Sequence, residues 1–343
     1  MLLNILLTGA AGLIGGELAE RLTQAGHRVT ALVRNNRDIL ANDGTPVEVA
    51  EIVTADLTQD RLALDAATYE RLANTHDLLM HCAALTRFDA SEEEYRATNI
   101  EGTARAIALA QAGDMDLLQV STAYVCGARS GEILETDALP TNSFTNGYEA
   151  SKAQAEALVR ASGLRYAIAR PSIVVGDSRT GAIRQFDTIY AAFKLIAEGR
   201  VRHMPVARGA TLDFVTIDHV AAGITMLAQR MGEANGGAYH LVSGGAVPVE
   251  TFAAAIGSFP AFDAPMLVEA DGFDPDSLPP LERRLFKRVA GLYAAYFQRD
   301  PRFDDSRFSA VTGMAGPPVD PALLQRLILY CIDIGFLKDS RAA

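Results

Sequence analysis

The chain of 343 residues is 49% hydrophobic and 21% charged, a composition that argues against a disordered or fibrous protein and predicts a globular one. Its formal net charge of −11 repels phosphate backbones and anionic lipid surfaces, so we expect no nucleic-acid partner. Its three cysteines and six histidines are scattered without metal-ligand spacing, so we expect no metal site and reduced thiols in a cytoplasmic protein.

The start of the chain predicts a buried strand rather than a leader or an anchor. Residues 2–8 form an apolar run that leads directly into glycines, without the basic segment of a signal peptide. Nowhere do about 18 uncharged apolar residues occur in a row, so we expect no membrane-spanning helix.

The first half of the chain alternates predicted strands with predicted helices. Apolar runs bounded by turn residues predict strands at 2–8, 27–33, 49–53, 77–81, 117–120 and 166–169. Helical periodicity predicts helices at 13–25, 92–112 and 148–162. This alternation is typical of an α/β fold with an open, doubly wound parallel sheet, as in Rossmann domains.

The alternation weakens in the second half. The pattern predicts strands at 213–216 and 238–242, and helices at 188–198, 220–229, 281–298 and 321–334. The last helix is expected to begin with Asp320 as its cap and Pro321 in its first turn. The segment 259–280 is rich in Pro, Gly and Asp and is expected to be a long connection.

Two domains are expected from this organisation. A dinucleotide-binding Rossmann domain is expected at residues 1–176, and residues 211–243 are expected to return to its sheet. A smaller, interleaved C-terminal part, the substrate-binding cap, is expected at residues 177–210 and 244–343.

A glycine-rich loop lies between the first predicted strand and the first predicted helix. Its glycines follow a GxxGxxG spacing, at Gly9, Gly12 and Gly15, with Leu13 and Ile14 before the last. Such glycines allow a tight turn, backbone approach to a pyrophosphate at the helix N-terminus, and close packing of the helix on the strand. The loop therefore predicts a dinucleotide site, and the alternative is a merely structural turn.

The end of the second predicted strand indicates which dinucleotide is bound. A carboxylate there would bind the ribose 2′-hydroxyl of NAD(H), but the sequence has Arg34. A guanidinium suits the 2′-phosphate of NADP(H), so NADP(H) is favoured over NAD(H); the alternative is a solvated loop arginine. Asp56 and Leu57 follow the third predicted strand, where they are placed to meet the adenine unless they form a surface turn.

Tyr148 and Lys152 are spaced by four residues at the start of a predicted helix. One turn puts both side chains on the same face, where the ammonium can lower the pKa of the phenol. Such a phenol can donate or accept the proton that accompanies hydride transfer at a carbonyl carbon. Ser121 and Thr122 end the preceding predicted strand and offer hydroxyls that can hold the substrate oxygen.

With these residues in order, the chain resembles an extended short-chain dehydrogenase/reductase, an epimerase/dehydratase-like family, over nearly its whole length. The shared elements are the glycine loop, Asp56-Leu57, His81-Cys82-Ala83-Ala84, Asn99, Ser121-Thr122, Tyr148 with Lys152, and Arg170-Pro171-Ser172. The resemblance implies that Thr122 orients the substrate oxygen and that Tyr148 is the acid or base. It also implies that Lys152 binds the nicotinamide ribose and that Asn99 supports the proton relay. The residues then expected along the cofactor are Ala83, Ala84, Pro171 and Ile173.

Two segments indicate which branch of the family the chain resembles. Residues 81–89 and 170–181 are similar to the fatty acyl-CoA reductase and thioester reductase branch of that family. This similarity implies an NADPH-dependent carbonyl reductase that acts on an apolar aldehyde or ketone, or on an acyl thioester. Hydride would reach the carbonyl carbon while Tyr148 protonates the oxygen.

Two other functions are weighed against this one. The first is an NAD-dependent sugar-nucleotide epimerase or dehydratase, against which Arg34 argues because such enzymes usually prefer NAD. The second is a non-catalytic dinucleotide-binding sensor, against which the complete set of Thr122, Tyr148 and Lys152 argues, because a sensor needs no acid or base.

The predicted helix at 281–298 carries an apolar stripe that includes Tyr293 and Phe297. Such a stripe is more often core, but it can also form the wall of an apolar substrate cleft or a partner interface. Relatives in the family often pair through the helices at 92–112 and 148–162, so a homodimer is a further expectation.

Overall fold

The computed structural model describes residues 2–186 and 189–338 of the chain. The strands are β1 (Asn4–Thr8), β2 (Arg28–Val33), β3 (Glu51–Thr54), β4 (Leu78–His81), β5 (Asp116–Val120), β6 (Gly131–Ile133), β7 (Tyr166–Pro171), β8 (Ile173–Val175), β9 (His203–Val206), β10 (Thr211–Leu212), β11 (Phe214–Thr216), β12 (Gly237–Leu241), β13 (Val247–Pro248), β14 (Met266–Glu269) and β15 (Pro301–Phe303). The α-helices are α1 (Leu13–Gln24), α2 (Ala66–Thr75), α3 (Glu92–Tyr95), α4 (Glu101–Gly113), α5 (Gly147–Ala161), α6 (Ile189–Ala197), α7 (Ile217–Gln229), α8 (Met231–Ala234), α9 (Val249–Gly257), α10 (Pro280–Leu285), α11 (Gly291–Tyr293), α12 (Ser306–Thr312) and α13 (Pro321–Asp333). Two π-helical turns are Arg96–Ile100 and Phe286–Ala290, and 3₁₀ segments are Asp60–Ala63, Ala123–Cys126, Pro275–Ser277 and Ala294–Gln298.

Seven strands form one parallel sheet, in the order β12-β7-β5-β4-β1-β2-β3. The direction of the winding reverses at β1, where Ile5 aligns with Val29 of β2 on one side and with Leu78 of β4 on the other. The predicted fold class, a doubly wound α/β sheet, is therefore confirmed. In this class, ligands bind in the crevice outside the carboxyl ends of the strands where the strand order reverses.

The apolar run at the start of the chain forms a strand that is covered on both faces. Ile5, Leu6 and Leu7 are each 0% exposed, as expected for the central strands of a parallel sheet. Helices α1 and α7 contribute to the apolar core on one face, and α2, α4 and α5 contribute to the core on the other.

Residues 214–241 pack with the sheet although a long segment outside the sheet precedes them. β11 pairs in parallel with β8, and β12 pairs with β7 at one edge of the main sheet. α7 lies against α1. The other C-terminal segments share a separate apolar cluster, to which α6, α9 and α13 contribute. The division into two domains with the boundaries given above stays a prediction.

In the second half, one prediction was wrong and one predicted helix is irregular. The segment 259–280 is not only a connection, because it contains β14, which pairs with β9; this strand is short and mostly exposed, and its pattern is weak. The segment 281–298 is helical as predicted but irregular, because α10, a π-helical turn, α11 and a 3₁₀ segment follow one another without a gap. These pieces bury Phe286, Tyr293 and Tyr296, and such tertiary packing overrides helical periodicity.

Helix ends and short helices show the limits of the sequence pattern. Asp320 caps α13 as predicted, since its carboxylate accepts a hydrogen bond from the Leu323 amide at 2.7 Å. α2, α9 and α12 were not predicted, because each is too short for a clear periodicity. The helix predicted at 188–198 begins at Thr188, which lies outside the described residues. Within 2–186 and 189–338, no helix is long and apolar enough to cross a membrane.

Candidate active site

The carboxyl ends of the sheet strands border a cavity of about 660 Å³. The predicted cofactor residues that line it are Gly9, Gly12, Leu13, Ile14, Gly15, Arg34, Asp56, Leu57, Ala83, Ala84, Tyr148, Pro171 and Ile173. Of the predicted catalytic residues, Thr122 and Tyr148 also line the cavity. Lys152 and Asn99 are buried and are not part of its lining.

The glycine loop is closely packed against neighbouring backbone at the start of α1. Gly9 has φ +71°, and a Cβ added to it would lie 2.6 Å from the Ala83 amide nitrogen. A Cβ on Gly15 would lie 2.0 Å from the Gly9 carbonyl oxygen. Gly12 precedes α1, and no side chain in the described part of the chain caps this helix end. The loop therefore fits a cofactor diphosphate, which binds to free amides at a helix N-terminus.

Arg34 and Arg37 follow the same strand, β2, but differ in their surroundings. Arg37 donates hydrogen bonds to the Thr54 hydroxyl and the Ile52 carbonyl oxygen, so its guanidinium is engaged. Arg34 lines the cavity, is exposed, and makes no hydrogen bond or ion pair with the residues that the structure describes. Its positive charge is therefore available to a phosphate in the cavity.

The turn after β3 borders the same end of the cavity. Asp56 accepts hydrogen bonds from the Thr58 amide and hydroxyl, at 2.9 and 2.8 Å. Leu57 packs towards α4, where a Cβ on Gly102 would lie 3.2 Å from the Leu57 Cβ. Contact of Asp56 and Leu57 with an adenine stays a prediction.

His81 is a buried packing residue beneath the cavity. It lies between the hydroxyls of Thr8, at 2.8 Å, and Thr103, at 3.1 Å. Burial, together with the Lys152 charge, lowers the pKa of His81 to about 3. The ring is therefore neutral at ordinary pH, and the Thr8 hydroxyl in turn accepts a hydrogen bond from the Ala83 amide at 3.2 Å. These bonds tie the ends of β1 and β4 together beneath the glycine loop.

Tyr148 and Lys152 occupy the first turns of α5, beside the end of β5. Burial raises the pKa of the Tyr148 phenol above its usual range, the adjacent Glu149 raises it further, and the Thr122 hydroxyl lowers it. Lys152 is 2% exposed and donates a hydrogen bond from Nζ to the Val120 carbonyl oxygen at 2.7 Å. Burial lowers the pKa of Lys152 to about 8. The predicted effect of Lys152 on the acidity of Tyr148 stays a prediction.

Asn99 connects the π-helical turn to two neighbouring elements. Its Oδ1 accepts a hydrogen bond from the Leu85 amide at 2.7 Å, and its Nδ2 donates to the Leu85 carbonyl oxygen at 3.0 Å. Nδ2 also donates to the Ser151 hydroxyl at 2.9 Å, and that hydroxyl donates to the Tyr148 carbonyl oxygen at 2.8 Å. Asn99 therefore fixes the loop after β4 against the start of α5.

Aromatic rings form the wall of the cavity beside Tyr148. Phe88 stacks on Tyr148 with 5.7 Å between ring centroids, and it lies 5.0 Å from Tyr293 and 5.8 Å from Tyr296. Tyr124 meets Tyr296 edge to face at 4.6 Å. We name these rings, Phe88, Tyr124, Tyr293 and Tyr296, the aromatic wall.

Several residues at this site were not predicted from the sequence. The apolar stripe on 281–298, which includes Tyr293, Tyr296 and Phe297, was expected to be core or the wall of a cleft or partner interface; the structure has Tyr293 and Tyr296 in the cavity lining, while Phe297 is buried and is not part of it. The tighter 3₁₀ turn at Ala294–Gln298 changes which side chains face the cavity. Arg184 donates a hydrogen bond to the Gly12 carbonyl oxygen at 2.9 Å, a long-range contact that no local pattern reveals.

Comparison with known proteins identifies relatives of the chain. Residues 7–224 match the protein family described as Male sterility protein. A linear gramicidin synthase of Brevibacillus parabrevis is 31% identical over 276 residues, which cover 73% of this chain and 5% of that protein. Fatty acyl-CoA reductase 1 of Gallus gallus is 28% identical over 278 residues, which cover 66% of this chain and 54% of that protein. The chain thus spans about half of one relative and a small part of the other.

A solved structure resembles the chain over nearly all of its length. The terminal R domain from the myxalamid PKS-NRPS biosynthetic pathway superposes with a TM-score of 0.83 and 27% sequence identity. The match covers 99% of this chain and 93% of that domain. The likeness therefore includes the C-terminal segments beyond the family match as well as the parallel sheet.

Proposed function

The chain belongs to the family described as Male sterility protein and is an NAD(P)-dependent oxidoreductase of the extended short-chain dehydrogenase/reductase class, and we propose that it reduces an apolar acyl thioester or aldehyde with NADPH. The observation that carries this proposal is the aromatic wall beside Tyr148 and Thr122. The charged residues of the described cavity lining are Arg34 and Asp56. Both follow strands on the other side of β1 from Thr122, so the end of the cavity at Tyr148 suits a neutral, apolar substrate.

The glycine loop, Arg34 and the turn after β3 would hold the cofactor. The loop amides suit its diphosphate, and the free guanidinium of Arg34 suits a 2′-phosphate, which favours NADP(H) over NAD(H). Ala83, Ala84, Pro171 and Ile173 also line the cavity. When bound, the nicotinamide supplies the hydride.

The residues of the chain would position the substrate carbonyl and supply a proton. Thr122 and Tyr148 both line the cavity, and the Thr122 hydroxyl, which donates to the Pro171 carbonyl oxygen at 3.3 Å, would turn to hydrogen-bond with the same substrate oxygen as Tyr148. Tyr148 would donate its hydroxyl proton to that oxygen as negative charge develops on it. The high pKa of Tyr148 keeps the phenol protonated until it reacts. Lys152 would hold the cofactor ribose, and Asn99 would hold the start of α5 in place.

The relatives support the substrate class by their names alone. One is called a fatty acyl-CoA reductase, and another is a terminal R domain of a PKS-NRPS pathway. The first of these names agrees with an acyl group of apolar character. The acyl carrier, the chain length, a homodimer paired through α4 and α5, and a cytoplasmic location stay predictions.

A substrate panel tests the proposed function. Purified protein is mixed with NADPH or NADH and with decanoyl-CoA, decanal or UDP-glucose, and loss of reduced-cofactor absorbance is followed. Oxidation of NADPH by decanoyl-CoA or decanal, abolished by Tyr148→Phe, is the expected result. Conversion of UDP-glucose without net cofactor use would indicate an epimerase instead, and no turnover at all would favour a sensor.

A further inference from the structure

A buried ion pair lies directly beside Tyr148. Glu149 is 0% exposed, and its carboxylate accepts a hydrogen bond from Arg299 Nη2 at 2.7 Å. Arg299 is 5% exposed and also donates to the Gly127 carbonyl oxygen. Because both charges are withdrawn from water, the loss of either one leaves an uncompensated buried ion.

The same guanidinium lies between two rings of the aromatic wall. The Arg299 Cζ atom is 4.8 Å from the ring centroid of Tyr124 and 4.8 Å from that of Tyr296. An arginine over ring faces is held by electrostatic attraction to the rings. Tyr296 stacks on Phe88, and Phe88 stacks on Tyr148.

We propose that the Glu149–Arg299 pair positions Tyr148 against the aromatic wall. The contacts form a closed circuit. Glu149, which follows Tyr148, binds Arg299, and Arg299 packs on Tyr296. Tyr296 stacks on Phe88, and Phe88 stacks on Tyr148. Through this circuit the C-terminal part of the chain sets the distance between the phenol and the place where the substrate binds. The inference rests on the proposed function, because it assigns a role to the proton donor.

Glu149 and Arg299 are positioning residues and not catalytic ones, because neither lines the cavity. Their effect on the rate would come from geometry, since displacing a reacting group by about 1 Å can cost about 100-fold in rate. A purely structural link would affect folding, whereas a positioning link affects kcat in folded protein.

The test compares variants of the full chain with decanoyl-CoA and decanal as probes. Arg299→Met and Glu149→Gln are expected to lower kcat by about 10- to 100-fold. KM for the probe and the Kd for NADPH are expected to change less than about threefold, because neither residue contacts these ligands. Arg299→Lys, which keeps a cation beside Glu149, is expected to recover part of kcat. If Arg299→Met does not fold, the kcat values of Glu149→Gln and Arg299→Lys are compared with that of the unaltered chain.

Arg230→Met is the control for the loss of an arginine hydrogen bond to a backbone carbonyl, although Arg230 is only half-buried. Arg230 donates to the Val311 carbonyl oxygen at 2.6 Å and does not line the cavity. We expect this variant to keep the kcat of the unaltered chain even where its melting temperature falls. A decrease in kcat equal to that of Arg299→Met would overturn the proposal.

The Tyr148→Phe background distinguishes the positioning role of the Glu149–Arg299 pair from the proposed function. With no hydroxyl to position, Arg299→Met is expected to reduce the residual rate by less than about twofold. A loss repeated in full on this background, or an unchanged kcat in folded Arg299→Met, overturns the positioning role. Full activity of Tyr148→Phe alone overturns the proposed function instead.

Discussion

The Phe88 ring stacks on the Tyr148 phenol, with 5.7 Å between ring centroids and 27° between ring planes. Phe88 lies in the loop after β4, and Tyr148 lies in the first turn of α5. The contact therefore joins two segments at the carboxyl edge of the sheet. Phe88 also meets Tyr293 and Tyr296 from the C-terminal part, so one ring connects the proposed proton donor to the substrate wall.

Replacement of Phe88 by alanine is expected to lower kcat/KM for decanal about tenfold, because the lost aromatic contacts contribute about 1 kcal/mol and the space admits water. Affinity for NADPH is expected to change little, because Arg34 and the glycine loop, which are proposed to hold the cofactor, follow other strands of the sheet than Phe88 does. Phe88→Leu, which keeps apolar volume, is the control and is expected to recover most of the loss. Steady-state kinetics and a fluorescence titration with NADPH measure both effects, and an unchanged kcat/KM in Phe88→Ala would contradict the prediction.

Arg34 is expected to determine the choice of cofactor. Arg34→Gln is predicted to raise KM for NADPH about tenfold, since it removes a charge-assisted hydrogen bond to the 2′-phosphate. KM for NADH is expected to stay nearly unchanged. Arg37→Gln is the matched control, because Arg37 is engaged with Thr54 and Ile52 and is not part of the cavity lining. Equal effects of Arg34→Gln on both cofactors would show that the guanidinium does not distinguish them.

Gly15 is expected to tolerate no side chain. A Cβ there would lie 2.0 Å from the Gly9 carbonyl oxygen, so Gly15→Ala must displace the loop that is proposed to bind the diphosphate. Affinity for NADPH is expected to fall at least about tenfold, or about 1.4 kcal/mol. Gly232→Ala is the control, because that glycine lies in α8 with open space around its Cα. Calorimetric titration with NADPH that gives equal Kd values for both variants would contradict this role of the loop.

The sequence predicted the parts of the fold that depend on local pattern. The first apolar run, the glycine loop and the spacing of Tyr148 and Lys152 are each contained within a few neighbouring residues, and the parallel sheet follows from the alternation of strands and helices. The aromatic wall could not be predicted in the same way. Phe88 and Tyr296 are brought together from segments 208 positions apart by the fold alone, and nothing local distinguishes Tyr296 from Phe297.

Buried charges were also beyond the reach of the sequence pattern. Glu149 and Arg299 are an acid and a base at unremarkable positions, and only the packing of the C-terminal part makes them partners. The same applies to Glu135, which is 2% exposed. Periodicity treats charged residues as surface, so it identifies neither the pair nor Glu135.

Glu135 joins three segments through hydrogen bonds to backbone amides. It accepts from His240 at 2.8 Å, from Arg307 at 2.6 Å and from Phe308 at 3.1 Å, the last two at the start of α12. Burial raises the pKa of Glu135 to about 7, against the opposing effect of these amides. The folded chain therefore holds a proton on Glu135 more tightly than the unfolded chain, where the pKa has its ordinary value of 4.5.

This raised pKa predicts a loss of stability as pH rises. The contribution of Glu135 is fully present below pH 4.5 and is lost as pH approaches about 7. Its size is on the order of 3 kcal/mol, since each pKa unit corresponds to about 1.4 kcal/mol. In Glu135→Gln, which does not titrate, the free energy of unfolding from urea denaturation should fall less over this range. Burial also raises the pKa of Asp213 to about 6, so the free energy of unfolding of Glu135→Gln should still decrease as pH rises. Asp213→Asn should remove that remaining pH dependence. An equal pH dependence in Glu135→Gln and the unaltered chain would show that Glu135 titrates alike in the folded and unfolded states.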